Sequence, residues 1–287
     1  MKINRLLAPL IVLVMSTPLH ATTLPREAAV PGGIALVDLG SAAAQPPQAT
    51  FQGKRVMVQP HEGRWWAIIG VPLATQPGKQ SLKVMEAGGA DHSVAFTVEA
   101  KSYTEQRLTL KNKKMVDPDP EDLKRIARDQ RQSKKAFANW SNREEVQLQF
   151  ATPVSGRLSS PFGLRRFFND QPRAPHSGLD IAAPQGTEVQ APAAGTVIEV
   201  GDFYFNGKSV FIDHGQGLVT MYCHLDTIKV KKGEQLPQGA VFATVGMTGR
   251  ATGPHLHWSV SLNDARIDPS LLLSNETVTA LTTPQRE

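Results

Sequence analysis

The sequence predicts a mainly β protein: a small N-terminal β-sandwich, a connecting helix, and a C-terminal antiparallel β domain. Three observations lead there. Between residues 51 and 110, short runs rich in β-branched and aromatic residues alternate with Gly/Pro turns. The pattern returns after Val146, with glycines between nearly all the runs. Between the two lies a charged stretch whose apolar residues repeat at helical spacing. The 287 residues suffice for one large or two modest domains, and a composition 40% hydrophobic and 20% charged excludes wholesale disorder.

Residues 1–21 read as a signal peptide. Lys2 and Arg5 precede an apolar run over 6–15, broken only by Pro9, and Ala21 supplies the small residue of a cleavage point. That run is about half of what a bilayer crossing needs, and no later stretch approaches a membrane span. The mature chain is therefore expected to be exported, with no membrane span. The lone cysteine, Cys223, excludes an internal disulfide, and none near the cleavage point offers a lipid site. The formal charge of +5 falls to +3 once Lys2 and Arg5 leave, a mild bias suited to an anionic cell wall. No aromatic-basic platform or groove-reading helix is present, which argues against nucleic acid as a partner.

Residues 22–116 form the expected N-terminal β domain. After a Pro/Ala/Gly-rich lead containing a first strand at 33–39, strands are expected at 55–58, 64–70, 81–85, 94–98 and 107–110. Trp65 and Trp66 lie in the second of these five, at least one of them in the core. Residues 117–145 form the helical connector: Asp119 can cap free amides, Pro120 suits the first turn, and Glu121 and Asp122 favour the positive helix end. Leu123, Ile126, Ala127, Gln130 and Phe137 give it a partly apolar stripe, and it is expected to run to about Trp140 as a connector. In 146–273 the clearest strands are 197–200, 209–212, 218–223, 241–245 and 255–260. Residues 274–287 read as a polar, frayed tail.

Five of the eight histidines fall between residues 176 and 257. If 255–260 is a strand, His255 and His257 share one face and Leu256 anchors the other. In His176-Ser177-Gly178-Leu179-Asp180, the His and Asp can converge if Gly178 permits a tight bend, and a nitrogen with a carboxylate oxygen suits zinc. Alternation along 218–224 puts Tyr222 and His224 on one face, Met221 and Cys223 on the other. That favours a buried, inert Cys223 and brings Tyr222 to the groove or against His224. His214, in a glycine-rich turn, is expected to support its loop; His61 and His92 are expected at the surface or in local hydrogen bonds.

These motifs together resemble the M23 zinc endopeptidases, the lysostaphin or LytM type, over roughly residues 150–270. The first ligand motif stands as His176-Ser177-Gly178-Leu179-Asp180, the terminal one as Thr252-Gly253-Pro254-His255-Leu256-His257, and the catalytic-strand motif as Tyr222-Cys223-His224-Leu225. Ser160-Pro161-Phe162-Gly163-Leu164-Arg165 and Gly246-Met247-Thr248-Gly249 match further segments. The resemblance implies a metallopeptidase domain with an open groove and one Zn2+, bound by His176, Asp180 and His257. It also implies catalytic histidines at His224 and His255, and peptidoglycan peptide as substrate. One departure stands out: Trp258-Ser259 replaces the frequent Phe-Glu.

Three protein ligands would leave one zinc position open, and two histidines could carry the proton traffic without a separate glutamate. The competing reading is a noncatalytic cell-wall-binding scaffold or amidase activator, with a cell-wall or regulatory protein as partner. An exported chain of this kind belongs in the periplasm or at the cell wall.

Overall fold

The structure, a computed structural model, describes residues 23–283 except 44, 87, 90 and 110–117. The signal-peptide reading of 1–21 therefore lies outside the described residues. The N-terminal unit has six strands: β1 (Ile34–Ser41), β2 (Gln48–Phe51), β3 (Lys54–His61), β4 (Arg64–Gly70), β5 (Gly78–Met85) and β6 (Asp91–Val98). They form one sheet in the order β1-β4-β3-β2-β5-β6, curled into a near-barrel around Val37, Phe51, Val56, Ile69, Leu82 and Val98. On β1, β3 and β4 the other face is buried too, because Ile34, Met57 and Ile68 join the large C-terminal core. This two-sided burial explains the unbroken apolar run Ala67-Ile68-Ile69.

The next segments are β7 (Glu105–Leu108) and α1 (Pro120–Phe137). β7 pairs in parallel with β9 (Arg165–Phe168), after which the chain reverses into β10 (Gln171–Pro172). Helix α1 starts as its sequence requires: the Asp119 carboxylate accepts from Asp122 N (3.0 Å), with Pro120 in the first turn. Its buried face carries Ile126, Ala136 and Phe137. Leu123, expected in that stripe, is exposed.

The C-terminal sheet has ten strands. β8 (Arg157–Ser160), β11 (Leu179–Ala182), β18 (His255–Leu262), β15 (Leu218–Ile228), β14 (Gly207–Gly215), β13 (Gly195–Phe203) and β16 (Gln235–Leu236) lie side by side. β12 (Glu188–Gln190), β17 (Val241–Val245) and β19 (Ala265–Ile267) attach to them. All pairings in this sheet are antiparallel. One face buries Ile181, Tyr222, Leu256, Trp258 and Val260 in the main core. The other carries Phe211, Val219, Met221 and Cys223, covered by Ala136 and Phe137 of α1. Contrary to a frayed tail, 275–282 forms a helix, α2 (Asn275–Thr282), capped by Ser274 Oγ accepting from Thr277 N and anchored by buried Leu281. Its apolar residues were too few to be read as a packing face.

The two β units dock through specific contacts. Asn263 accepts from Gly70 N (2.6 Å) and donates to Gly70 O (2.9 Å). Lys54 pairs with Asp264 (2.8 Å), and the Tyr103 ring meets Phe162 edge-on. No helix among the described residues is long and apolar enough to cross a membrane.

Candidate metal centre and flanking histidines

Three side chains converge on one point. His176 Nε2 lies 2.8 Å from Asp180 Oδ1 and 3.0 Å from His257 Nδ1, and His257 Nδ1 lies 2.7 Å from Asp180 Oδ1. All three residues are scarcely exposed. Register explains the convergence: Asp180 on β11 stands directly opposite His257 on β18, and directly opposed residues share a face. The next pair places Ile181 against Leu256 on the core side. Gly178 contributes differently from expectation. Its φ is not among the positive ones, so it makes no special bend. Instead a Cβ there would collide with Trp258 O and stand 2.8 Å from Ser259 Oγ. Its bareness permits close approach of the His176 segment to β18.

The donor set fits zinc: two imidazole nitrogens and a carboxylate oxygen, with the second nitrogen of each imidazole already engaged. His176 Nδ1 donates to Pro161 O (2.7 Å), which leaves Nε2 bare. His257 Nε2 meets Ser259 Oγ at 2.9 Å, which leaves Nδ1 for the site. Burial alone would raise the Asp180 carboxyl, yet the His176 and His257 imidazoles packed against it hold it well below the usual carboxylate range. Its second oxygen accepts from Arg166 Nη2 (2.8 Å), which also donates to Ser160 Oγ (2.8 Å). Burial lowers His257, against the raising effect of Asp180.

His224 and His255 stand beside this cluster. Their ring centroids are 4.7 Å apart, and that of His224 is 6.2 Å from that of His257. Each donates Nδ1–H to a carbonyl, Thr248 O (2.7 Å) for His224 and Gly253 O (2.8 Å) for His255. Each Nε2 is thus a bare acceptor. Burial, followed by the neighbouring His257 and His255, pushes His224 down to about 3, so its ring is neutral near pH 7.

Alternation fails at His224. The β14–β15 register shifts between the pairs Val210–Tyr222 and Lys208–Leu225, inserting one residue on β15. His224 takes φ +59°, and its N–H donates to Asn206 O (2.8 Å). The bulge turns His224 away from the Tyr222 side, onto the face of Cys223 and His257. Tyr222 consequently neither lines the site nor holds His224. It is fully buried, packs edge-on against Phe242 (4.8 Å), and its hydroxyl accepts from Thr220 Oγ1 (2.9 Å).

The remaining sequence candidates separate cleanly. Cys223 is buried, and burial pushes its thiol up to about 12. His214 contacts Ala194 O (2.9 Å) and Thr220 Oγ1 (2.8 Å), a structural tie between strands. A cavity of about 270 Å³ lies between α1 and residues 203–206, and none of the five site residues lines it. Sequence reasoning missed Arg166 and the orienting carbonyls of Pro161 and Thr248. The carbonyls fall inside quoted motifs, whereas nothing local marks Arg166.

Residues 174–269 match Peptidase family M23, and residues 27–101 match the Peptidase family M23 N-terminal domain. The chain is 48% identical to an M23 peptidase candidate from Pseudomonas aeruginosa of known crystal structure, with a TM-score of 0.72, covering 85% of this chain and 94% of that one. It is 40% identical over 116 residues to the DD-carboxypeptidase/endopeptidase Mpg of Neisseria meningitidis serogroup B, covering 40% of this chain. It is 42% identical over 105 residues to the peptidoglycan DD-endopeptidase ShyA of Vibrio cholerae, covering 36% of this chain. The matched stretches span 27% and 24% of those two relatives. The β fold and the His/Asp/His cluster are those of a metallopeptidase domain. The chain belongs to peptidase family M23.

Proposed function

We propose that this protein is an exported zinc endopeptidase that hydrolyses peptide bonds in bacterial peptidoglycan stems or cross-links. The observation that carries the reading is the meeting of His176 Nε2, Asp180 Oδ1 and His257 Nδ1, with two bare histidine nitrogens alongside. His176, Asp180 and His257 would hold the zinc. When bound, zinc supplies Lewis acidity toward a peptide carbonyl and makes a water easier to deprotonate.

The chain's own residues account for the proton traffic. Because Nδ1 of both His224 and His255 is committed to a carbonyl, each ring offers Nε2 as a proton acceptor. A ring that takes a proton from water becomes a donor, able to stabilise a developing oxyanion or deliver the proton to the leaving amine. Arg166 holds Asp180 in place through its hydrogen bond to Oδ2. The named activities of the Neisseria and Vibrio relatives support peptidoglycan as the substrate. Residues 1–21 serve as the leader, 22–116 as the N-terminal domain, 117–145 as the connector and 146–273 as the peptidase domain, placing the mature protein in the periplasm or at the wall.

The noncatalytic alternative, a wall-binding scaffold or amidase activator, would not need the full donor set with its orienting partners. Mass spectrometry of peptidoglycan digested by the mature protein, with and without chelator, tests the proposal. New amine and carboxyl ends that vanish with chelator are expected. Intact peptidoglycan after treatment with folded, zinc-loaded protein would overturn it.

A further inference from the structure

The segment running from the end of β8 into β9 grips the metal centre at two points. Pro161 O accepts from His176 Nδ1 (2.7 Å), and Arg166 Nη2 donates to Asp180 Oδ2 (2.8 Å). Between them the backbone is tied in both directions: Gly163 N donates to His176 O (2.8 Å), and His176 N donates to Leu164 O (2.9 Å). Residues 161–166 thus frame two of the three metal-site side chains. Yet residues 161–164 belong to no strand, and β9 lies outside the ten-stranded sheet, in a three-stranded one of order β10-β9-β7.

The frame takes its position from the chain leaving the N-terminal unit. The Tyr103 ring sits on Gly163, where φ is +85° and an added Cβ would run into Cδ1 and Cε1 of that ring. The bareness of Gly163 therefore serves both the backbone turn and the contact. The same ring meets Phe162 edge-on, with centroids 6.1 Å apart. Its hydroxyl donates to Pro31 O (2.7 Å). One residue on, Thr104 O accepts from Arg165 N (2.9 Å), and β7 then runs parallel to β9. The Pro31-Gly32 turn is itself anchored, since Gly32 N donates to Val71 O (2.8 Å) and Gly32 O accepts from Asp268 N (2.8 Å). The two units are joined independently by Asn263 and Gly70. Asn263 lies six residues past His257, about 20 Å along an extended strand.

We infer that Tyr103 is a positioning residue for the metal centre: its ring, seated on Gly163, holds the 161–166 segment that orients His176 and Asp180. The N-terminal unit is then part of the support of the zinc site, beyond its attachment to the peptidase domain. The inference rests on the reading of His176, Asp180 and His257 as zinc ligands and deepens it. Tyr103 acts through Phe162 and Gly163.

The test compares variants of the mature chain by zinc Kd, from competition with a chromophoric chelator, and by amide hydrogen exchange of the metal-free protein. Tyr103→Ala should weaken zinc binding about tenfold, the lower end of the scale for groups behind a metal ligand. Tyr103→Phe, which keeps the ring on Gly163, should stay within about threefold of wild type on that same scale. Asn263→Gly suits the positive φ there and removes both bonds to Gly70. It should lower the melting temperature while leaving zinc affinity unchanged. In Tyr103→Ala, exchange should quicken at the Gly163 and His176 amides. Should that variant not fold, Tyr103→Leu keeps apolar bulk without a ring and is expected to lose zinc affinity likewise. Wild-type affinity in a folded variant lacking the ring, or an equal loss in Asn263→Gly, overturns the inference. If the wild type itself holds no zinc, the metal reading fails separately, and exchange decides. Quickening confined to Gly163, His176 and their neighbours supports the positioning role; none, or a uniform rise, overturns it.

Discussion

His224 approaches His257 to a ring-centroid separation of 6.2 Å, although the β15 residue paired directly opposite His257 is Cys223. A strand in regular register would have sent His224 into the core beside Tyr222. The bulge, with φ +59° at His224, delivers the imidazole to the site instead. Sparsely populated backbone of this kind persists where its surroundings hold it. Here Asn206 O takes the His224 amide and Thr248 O takes its ring N–H.

The proposed mechanism separates metal holding from proton transfer. His257→Ala should release zinc and abolish activity with it. His224→Ala should keep zinc near stoichiometric while lowering kcat/KM by roughly 10²–10⁴-fold. Metal analysis run beside the peptide assay checks both, and full activity in the His224 variant would remove that residue from the mechanism.

Ser259 lies two residues beyond His257 on β18, and its hydroxyl meets His257 Nε2 at 2.9 Å. It therefore fixes which nitrogen of His257 faces the site. Ser259→Ala should weaken zinc binding by about 10–100-fold, the usual scale for loss of a partner behind a metal ligand. Competition with a chromophoric chelator measures this. Unchanged affinity would show that strand geometry alone orients the ring.

Gly178 and Gly253 offer a steric contrast within the ligand motifs. A methyl at Gly178 would collide with Trp258 O, whereas at Gly253 nothing lies within 4 Å. Gly178→Ala should cost about 2–3 kcal/mol and loosen zinc, while Gly253→Ala should stay within about 0.5 kcal/mol. Urea unfolding of both variants distinguishes close approach from generic loop sensitivity; equal losses would contradict it.

His214 predicts a pH dependence. Burial pushes the folded-state ring down to about 4, against an ordinary value of 6.5. Between those values the unfolded chain binds the extra proton, so this contribution is complete above about pH 6.5 and is lost as pH falls toward 4, by roughly 3 kcal/mol. The stability difference between wild type and His214→Gln should shrink by that order between pH 7 and pH 4. Parallel stability curves would refute the assignment.

The sequence by itself determined much of this protein. The cap at Asp119, the β character on both sides of α1 and the shared face of His255 and His257 follow from interactions within a few residues, where periodicity and spacing operate. Motif spacing likewise singled out His176, Asp180, His224, His255 and His257. Other features depended on tertiary structure. Asp180 meets His257 across 77 positions, His224 is oriented by a carbonyl 24 residues later, and Arg166 reaches Asp180 from a separate hairpin. A one-residue bulge reverses the alternation that governs Tyr222 and His224, and Gly178 serves a contact with a distant strand instead of its own turn. These outcomes depend on how strands register and how closely they pack, and register is settled only when the whole sheet buries its faces together.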